Sequence, residues 1–236
     1  MALPILNDKP KYVMTLPSTG KEIKYRPYLV REEKILMVAL ESQDKAAAMN
    51  AIVDTIAACI YDDINKNALT VFDIEYMFLK IRSKSVGEKI QIGLRCTNCE
   101  EVNEVEVDIE KLPLPKVESK EVFVDITDDI VLKMKYPNFK DMAELEKNTN
   151  LSDTDKTFKL IISCMDSIQT GDENILIKDE KEADVMNFIE SLNTAQFNKI
   201  KDYVEAMPRV EYDIDFKCTG CGTENHGELR GVEDFF

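Results

Sequence analysis

Six cysteines carry most of the chemistry that this chain could perform. Four of them form two Cys-x-x-Cys pairs, Cys96/Cys99 and Cys218/Cys221, separated by residues 100–217. A two-residue spacer in a tight turn lets both thiolates converge on one ion while freed backbone N–H groups point at the sulfurs. One pair supplies too few ligands, whereas two supply the four of a closed tetrahedral zinc site. The expectation is one structural zinc held by Cys96, Cys99, Cys218 and Cys221. Gly222 follows Cys221 directly and suits the positive φ that such a turn needs. Glu100 stands at the equivalent place after Cys99, so the first turn fits the pattern less well. A degenerate, metal-free set of cysteines and a redox dithiol are the competing readings. The redox reading is disfavoured because a redox dithiol opens a helix, and strand-like alternation follows each pair here. A catalytic zinc needs an open position, and four thiolates leave none. Cys59 and Cys164 lie on apolar helical stripes and read as small core residues.

Other chemistry is sparse. His226 is the one histidine, which excludes His-paired metal motifs and leaves little room for a Ser–His or Cys–His mechanism. It lies near enough to Cys221 to replace a ligand, but a surface role fits better. No Gly-rich phosphate loop occurs, and no carboxylate pair is marked out among the 45 acidic residues. The chain is read as non-enzymatic. Against those 45 stand 30 basic residues, a formal net charge of -15. Zinc ribbons that read nucleic acid carry basic patches. Here Glu100, Glu101, Glu104, Glu106, Asp108 and Glu110 follow the first pair, and Glu211, Asp213 and Asp215 precede the second. No nucleic-acid partner is therefore expected, and a nucleic-acid-associated zinc ribbon is kept as the alternative function. No apolar run approaches the ~20 residues that span a bilayer. Met1 to Asp8 lacks the basic and apolar regions of a signal peptide. A reducing cytoplasmic setting is expected, and it favours free thiolates over disulfides.

The elements that must position the cysteines follow from periodicity. Residues 12–16 and 21–25 read as strands around Pro17-Ser18-Thr19-Gly20. Helices are expected over 30–42, 45–61 and 70–82, the first with Ile35, Leu36, Val38, Ala39 and Leu40 as a broad apolar side. Period-two strands over 89–95 and 101–109 flank the first cysteine pair, and a Pro-rich linker covers 111–116. Residues 130–136 are extended, followed by helices over 139–147, 153–168, 182–191 and 194–206, with a polar loop over 170–180. Strands over 210–216 and 223–229 flank the second pair.

The order strand, Pro, helices, strand, Cys-x-x-Cys, strand thus occurs twice. Pro27 matches Pro137, and Ile56-Ala57-Ala58-Cys59-Ile60 matches Ile161-Ile162-Ser163-Cys164-Met165. Leu69, Ile74, Met77 and Ile81 match Leu192, Phe197, Ile200 and Val204 at one offset. This predicts an α+β protein of two pseudo-repeated halves, 1–115 and 119–236. Each half is a helical bundle with short antiparallel strands. They are joined through a zinc-ribbon-like four-cysteine module.

Two further segments carry a family resemblance. They are Tyr25-Arg26-Pro27-Tyr28-Leu29-Val30-Arg31-Glu32-Glu33-Lys34-Ile35-Leu36 and the closing Leu229-Arg230-Gly231-Val232-Glu233-Asp234-Phe235-Phe236. With the two cysteine pairs, they resemble the baseplate hub assembly proteins of T-even-type contractile-tailed bacteriophages, over essentially the whole chain. The resemblance implies a non-enzymatic assembly factor or minor hub component that binds phage tail or baseplate hub proteins in the host cytoplasm or in the virion. The zinc site is not part of what it implies. Candidate partner-binding residues are Tyr25, Arg26, Pro27 and Tyr28, taken as an exposed aromatic segment, and Phe235 and Phe236 at the terminus.

Overall fold

The computed structural model describes residues 10–42, 44–117, 121–147 and 151–231. Among them are seven α-helices and ten strands, with every strand pairing antiparallel, so the fold is α+β. No helix among the described residues is long and apolar enough to cross a membrane.

The chain falls into two compact units. The first takes in Met1–Lys66, Phe72–Lys116 and Arg209–Phe236, and the second Asn67–Val71 and Val117–Pro208. These units divide the chain differently from the two sequence halves, because the second cysteine hairpin groups with the first. The four cysteines of both pairs therefore lie in one unit.

The first unit begins with β1 (Tyr12–Thr15) and β2 (Glu22–Tyr25), an antiparallel hairpin closed at Gly20, whose φ of 69° needs no Cβ. Alternation buries Met14, Ile23 and Tyr25. Helix α1 (Val30–Glu41) packs on α2 (Lys45–Cys59), and α2 is capped by Asp44, which accepts from the Ala47 N–H at 3.0 Å. Helix α3 (Val71–Ser85) is apolar on most of its surface and buries Phe72, Ile74, Tyr76, Met77, Phe78, Leu79 and Ile81. Burial of each such large side chain contributes roughly 1.5–3 kcal/mol, so α3 contributes substantially to the core of this unit. The hairpin β3 (Lys89–Arg95) and β4 (Val102–Asp108) follows it. After the second unit the chain returns as the hairpin β9 (Glu211–Lys217) and β10 (Glu224–Arg230). Its register is that of β3–β4: Lys217 faces Glu224 across the cysteine turn as Arg95 faces Val102.

The second unit holds a four-stranded meander, β5 (Val122–Asp125), β6 (Ile130–Met134), β7 (Met165–Thr170) and β8 (Glu173–Leu176). It also holds α4 (Phe139–Lys147), α5 (Asp153–Ser163), α6 (Glu182–Glu190) and α7 (Thr194–Glu205). One core joins Leu132, Met134, Ile161, Cys164, Met165, Val185, Ile189 and Ile200. Helices α5 and α7 are zipped by Phe158 stacked on Phe197, with ring centroids 5.5 Å apart.

Three expectations are corrected here. The helix over 153–168 stops at Ser163, because Met165–Thr170 is claimed by pairing with β6. The loop over 170–180 contains strand β8. The apolar side of α1 does not face the chain's own core: Leu36 is buried, but Val30, Ile35, Met37, Val38 and Leu40 are exposed, Val30 by 79%.

Candidate metal centre

Both cysteine turns are built alike. In the first, the Cys96 N–H donates to the Glu101 carbonyl at 2.9 Å and the Glu100 N–H to the Cys96 carbonyl at 3.0 Å. In the second, the Cys218 N–H donates to Thr223 at 2.9 Å and the Gly222 N–H to Cys218 at 3.0 Å. Closing the turn this way requires a left-handed residue after the second cysteine. Gly222 supplies it at φ 76°, and Glu100 adopts φ 61° despite its side chain. Glu100 is the one non-glycine residue with positive φ among the described residues. A Cβ in that region costs about 1–2 kcal/mol, so the first turn is held in shape by its surroundings.

The two turns face each other. Cys96 Sγ lies 3.6 Å from Cys221 Sγ, and Cys99 Sγ lies 3.6 Å from Cys218 Sγ. All four sulfurs lie within 4.8 Å of one another. Four sulfurs at ~2.3 Å from a central zinc would be about 3.8 Å apart along each tetrahedron edge. The two 3.6 Å separations are close to that figure, and both are far too long for a disulfide bond of about 2.05 Å. Cys96 and Cys218 are buried, and Cys99 and Cys221 are exposed. The set is closed and sulfur-only, which suits a soft tetrahedral cation that stabilises structure.

The thiols differ in acidity. Cys221 is held down to about 5 by the Thr223 hydroxyl at 3.2 Å, the Thr223 N–H and the Asn98 amide. Cys218 is also lowered, first by the Cys221 N–H. Cys99 receives the Glu101 N–H, which lowers it, but proton sharing with Cys221 and Cys218 outweighs this and pushes it up to about 12. Ligation takes the thiolate form, so a metal bound here would displace the protons the cluster holds.

Two asparagines that the sequence reading passed over sit between the turns. Asn103 is 3% exposed and Asn225 6%. The Asn103 amide donates to Cys218 Sγ at 3.6 Å and its oxygen accepts from the Thr219 N–H at 2.8 Å. Asn225 mirrors this, donating to Cys96 Sγ at 3.5 Å and accepting from the Thr97 N–H at 2.9 Å. The signal was present in the sequence as Cys-Thr-x-Cys-x-x-x-Asn, which occurs at Cys96–Asn103 and again at Cys218–Asn225.

The other candidates lie elsewhere. Tyr25 and Arg26 are buried, which corrects the expectation of an exposed aromatic segment, and Pro27 and Tyr28 are half-buried. Arg26 donates to Glu32 at 3.1 Å and to the Ala58 carbonyl at 2.9 Å, so its charge is used inside the unit. Burial opposes ionisation of Glu32, but Arg26, Arg31 and the Leu29 N–H outweigh it and bring its pKa to about 2. Phe235 and Phe236 lie outside the described residues. His226 is exposed and meets Asp215 at 2.9 Å rather than joining the cysteines. The hairpin faces around the cysteines are acidic, with Glu100, Glu101, Glu104, Glu106, Glu211, Asp213, Asp215 and Glu224 all exposed.

Comparison with known proteins adds an independent line. The model of a family described as T4 bacteriophage base plate protein matches residues 9–236. The baseplate hub assembly protein gp26 of Enterobacteria phage T4 is similar, with 27% identity over 108 residues. That match covers 46% of this chain and 46% of the phage T4 protein, so the chain spans less than half the length of that relative. No solved structure matches the chain.

Proposed function

The chain belongs to the T4 bacteriophage base plate protein family, and on that premise we propose that it is a non-enzymatic assembly factor or minor structural component of a phage tail baseplate hub. It acts by binding other tail or hub proteins in the host cytoplasm, in a chaperone-like role or as part of the virion. One structural zinc on Cys96, Cys99, Cys218 and Cys221 ties the β9–β10 hairpin to the β3–β4 hairpin.

The observation that carries this reading is the family match over nearly the whole chain. The metal part is supported by the convergence of the four sulfurs. Protein binding is supported by α1, on which Val30, Ile35, Met37, Val38 and Leu40 are all exposed. A contiguous group of exposed large apolar side chains marks an interaction surface, and we assign the cover to a baseplate protein of the same phage. Pro27 and Tyr28, at the entry to α1, extend that surface, and Phe235 and Phe236 are further proposed docking residues. The acidic hairpin faces weigh against nucleic acid as the partner.

The repeat is part of the proposal. It is supported by the equal register of the two cysteine hairpins. A parallel contact also recurs where each leading hairpin meets a helix end: Arg26 N–H to Cys59 O at 2.9 Å, and Lys135 N–H to Cys164 O at 2.7 Å.

The test is purification of the tagged chain from infected cells with identification of what accompanies it. The expected result is recovery of identified baseplate proteins, lost in Val38→Asp while the variant keeps its fold. Recovery of the chain alone, or of the same proteins with the variant, would contradict the assignment.

A further inference from the structure

From the paired asparagines we infer that Asn103 and Asn225 are reciprocal positioning residues of the metal centre, each orienting the first cysteine of the opposite turn. This rests on the proposed metal reading. Each amide uses its full hydrogen-bonding capacity, two donors and two acceptor lone pairs. Asn103 Nδ2 donates to the Glu101 carbonyl at 3.0 Å and to Cys218 Sγ at 3.6 Å, and Oδ1 accepts from Thr219 N–H at 2.8 Å and Thr219 Oγ1 at 3.0 Å. Asn225 Nδ2 donates to the Thr223 carbonyl at 2.9 Å and to Cys96 Sγ at 3.5 Å, and Oδ1 accepts from Thr97 N–H at 2.9 Å and Thr97 Oγ1 at 2.9 Å. The flipped amide would put oxygen against a carbonyl and a sulfur in both places, so the orientation is determined by the partners.

The arrangement has a consequence for assembly of the site. Neither asparagine serves its own turn's cysteine: one bond anchors the amide at home, and three reach across. In a hairpin alone, three of the amide's four bonds would fall to water and the first cysteine would be unbraced. Only the pair of hairpins orients both buried sulfurs. Four thiolates around a divalent cation leave two net negative charges in a chain already strongly acidic. The two amide N–H groups offset that charge at Cys96 and Cys218, the sulfurs that water reaches least.

The test uses the full chain and cobalt(II) as the probe, with chelator competition to read affinity and the thiolate-to-cobalt absorption band to read sulfur donation. Asn103→Asp keeps an oxygen for Thr219 but replaces the donor facing Cys218 by an acceptor. Expected are affinity about ten- to hundredfold weaker and a shift of the band to longer wavelength. Asn225→Asp should do the same through Cys96. Thr219→Val should cost a few-fold and Thr219→Ser nothing, which keeps the idea testable if an aspartate variant fails to fold. Wild-type affinity and an unmoved band in Asn103→Asp, or in Thr219→Val, would overturn the inference and leave the metal reading standing. A wild-type chain that binds no cobalt would overturn both.

Discussion

The two cysteine hairpins are close to superimposable in register and bonding, yet they reach that shape by different means. The second has Gly222 at the left-handed position and Gly220 and Thr223 beside its cysteines. The first has Glu100, Asn98 and Glu101 at the matching places. The second turn is preformed by its own residues. The first is strained at Glu100, and its Cys99 lacks a hydroxyl neighbour of the kind Thr223 gives Cys221. One turn can thus template the other, provided that a cation and the asparagine clamp hold them together.

The largest expected effect comes from removing ligands. If the two hairpins share one metal, Cys218→Ser and Cys96→Ser should destabilise the first unit alike, by several kcal/mol in thermal or denaturant unfolding. A loss confined to the hairpin that carries the change would mean that each turn stands alone. Next comes reactivity in the metal-stripped protein. Cys221 at about 5 is ionised at neutral pH and Cys99 at about 12 is not, so alkylation followed by mass spectrometry should find Cys221 labelled first and Cys99 more than about tenfold more slowly. The reverse order would remove the acidity difference between the turns.

The backbone contrast is smaller. Glu100→Gly relieves the left-handed residue and should stabilise by about 0.5–1 kcal/mol, with part of the gain lost to chain entropy. Gly222→Ala should cost about 1 kcal/mol. Shifts of opposite sign in the urea midpoint, the smaller one for Glu100→Gly, would support the template argument, and no shift in either would contradict it. The smallest effect is pH-dependent and confined to the second hairpin, where His226 faces Asp215 across the strands. The Asp215 carboxylate raises the His226 pKa above its ordinary 6.5. A raised histidine pKa gives a contribution that is complete below the unfolded value and disappears as pH rises through the folded one. An NMR titration of this single histidine should give a value above 6.5 that falls in Asp215→Asn; an unchanged value would remove the pair.

Sequence made the cysteine hairpins legible because ligand spacing and period-two alternation are local signals. It was blind to the clamp because Asn103 and Asn225 look like ordinary polar strand residues until the two motifs are laid over each other. The second unit was harder for a different reason. Ile161, Met165 and Ile168 fit a helix as well as they fit a helix followed by a strand, and pairing between β6 and β7 decides between them. Strand β8 was hidden by its polar residues, and β5 is only a short apolar run, Val122-Phe123-Val124, set between charged residues. The segment Tyr25–Tyr28 misled through composition: aromatic and charged side chains suggested a surface, but Arg26 is neutralised internally by Glu32. The reverse held for α1, whose apolar residues suggested a core and are exposed.

The central claim is that the four cysteines hold one metal between two hairpins. Elemental analysis of protein purified without an affinity metal tests it most directly. The account predicts about one zinc per chain, with Cys96, Cys99, Cys218 and Cys221 protected from alkylation until a chelator is added. A metal-free protein in which all four thiols react freely would contradict it.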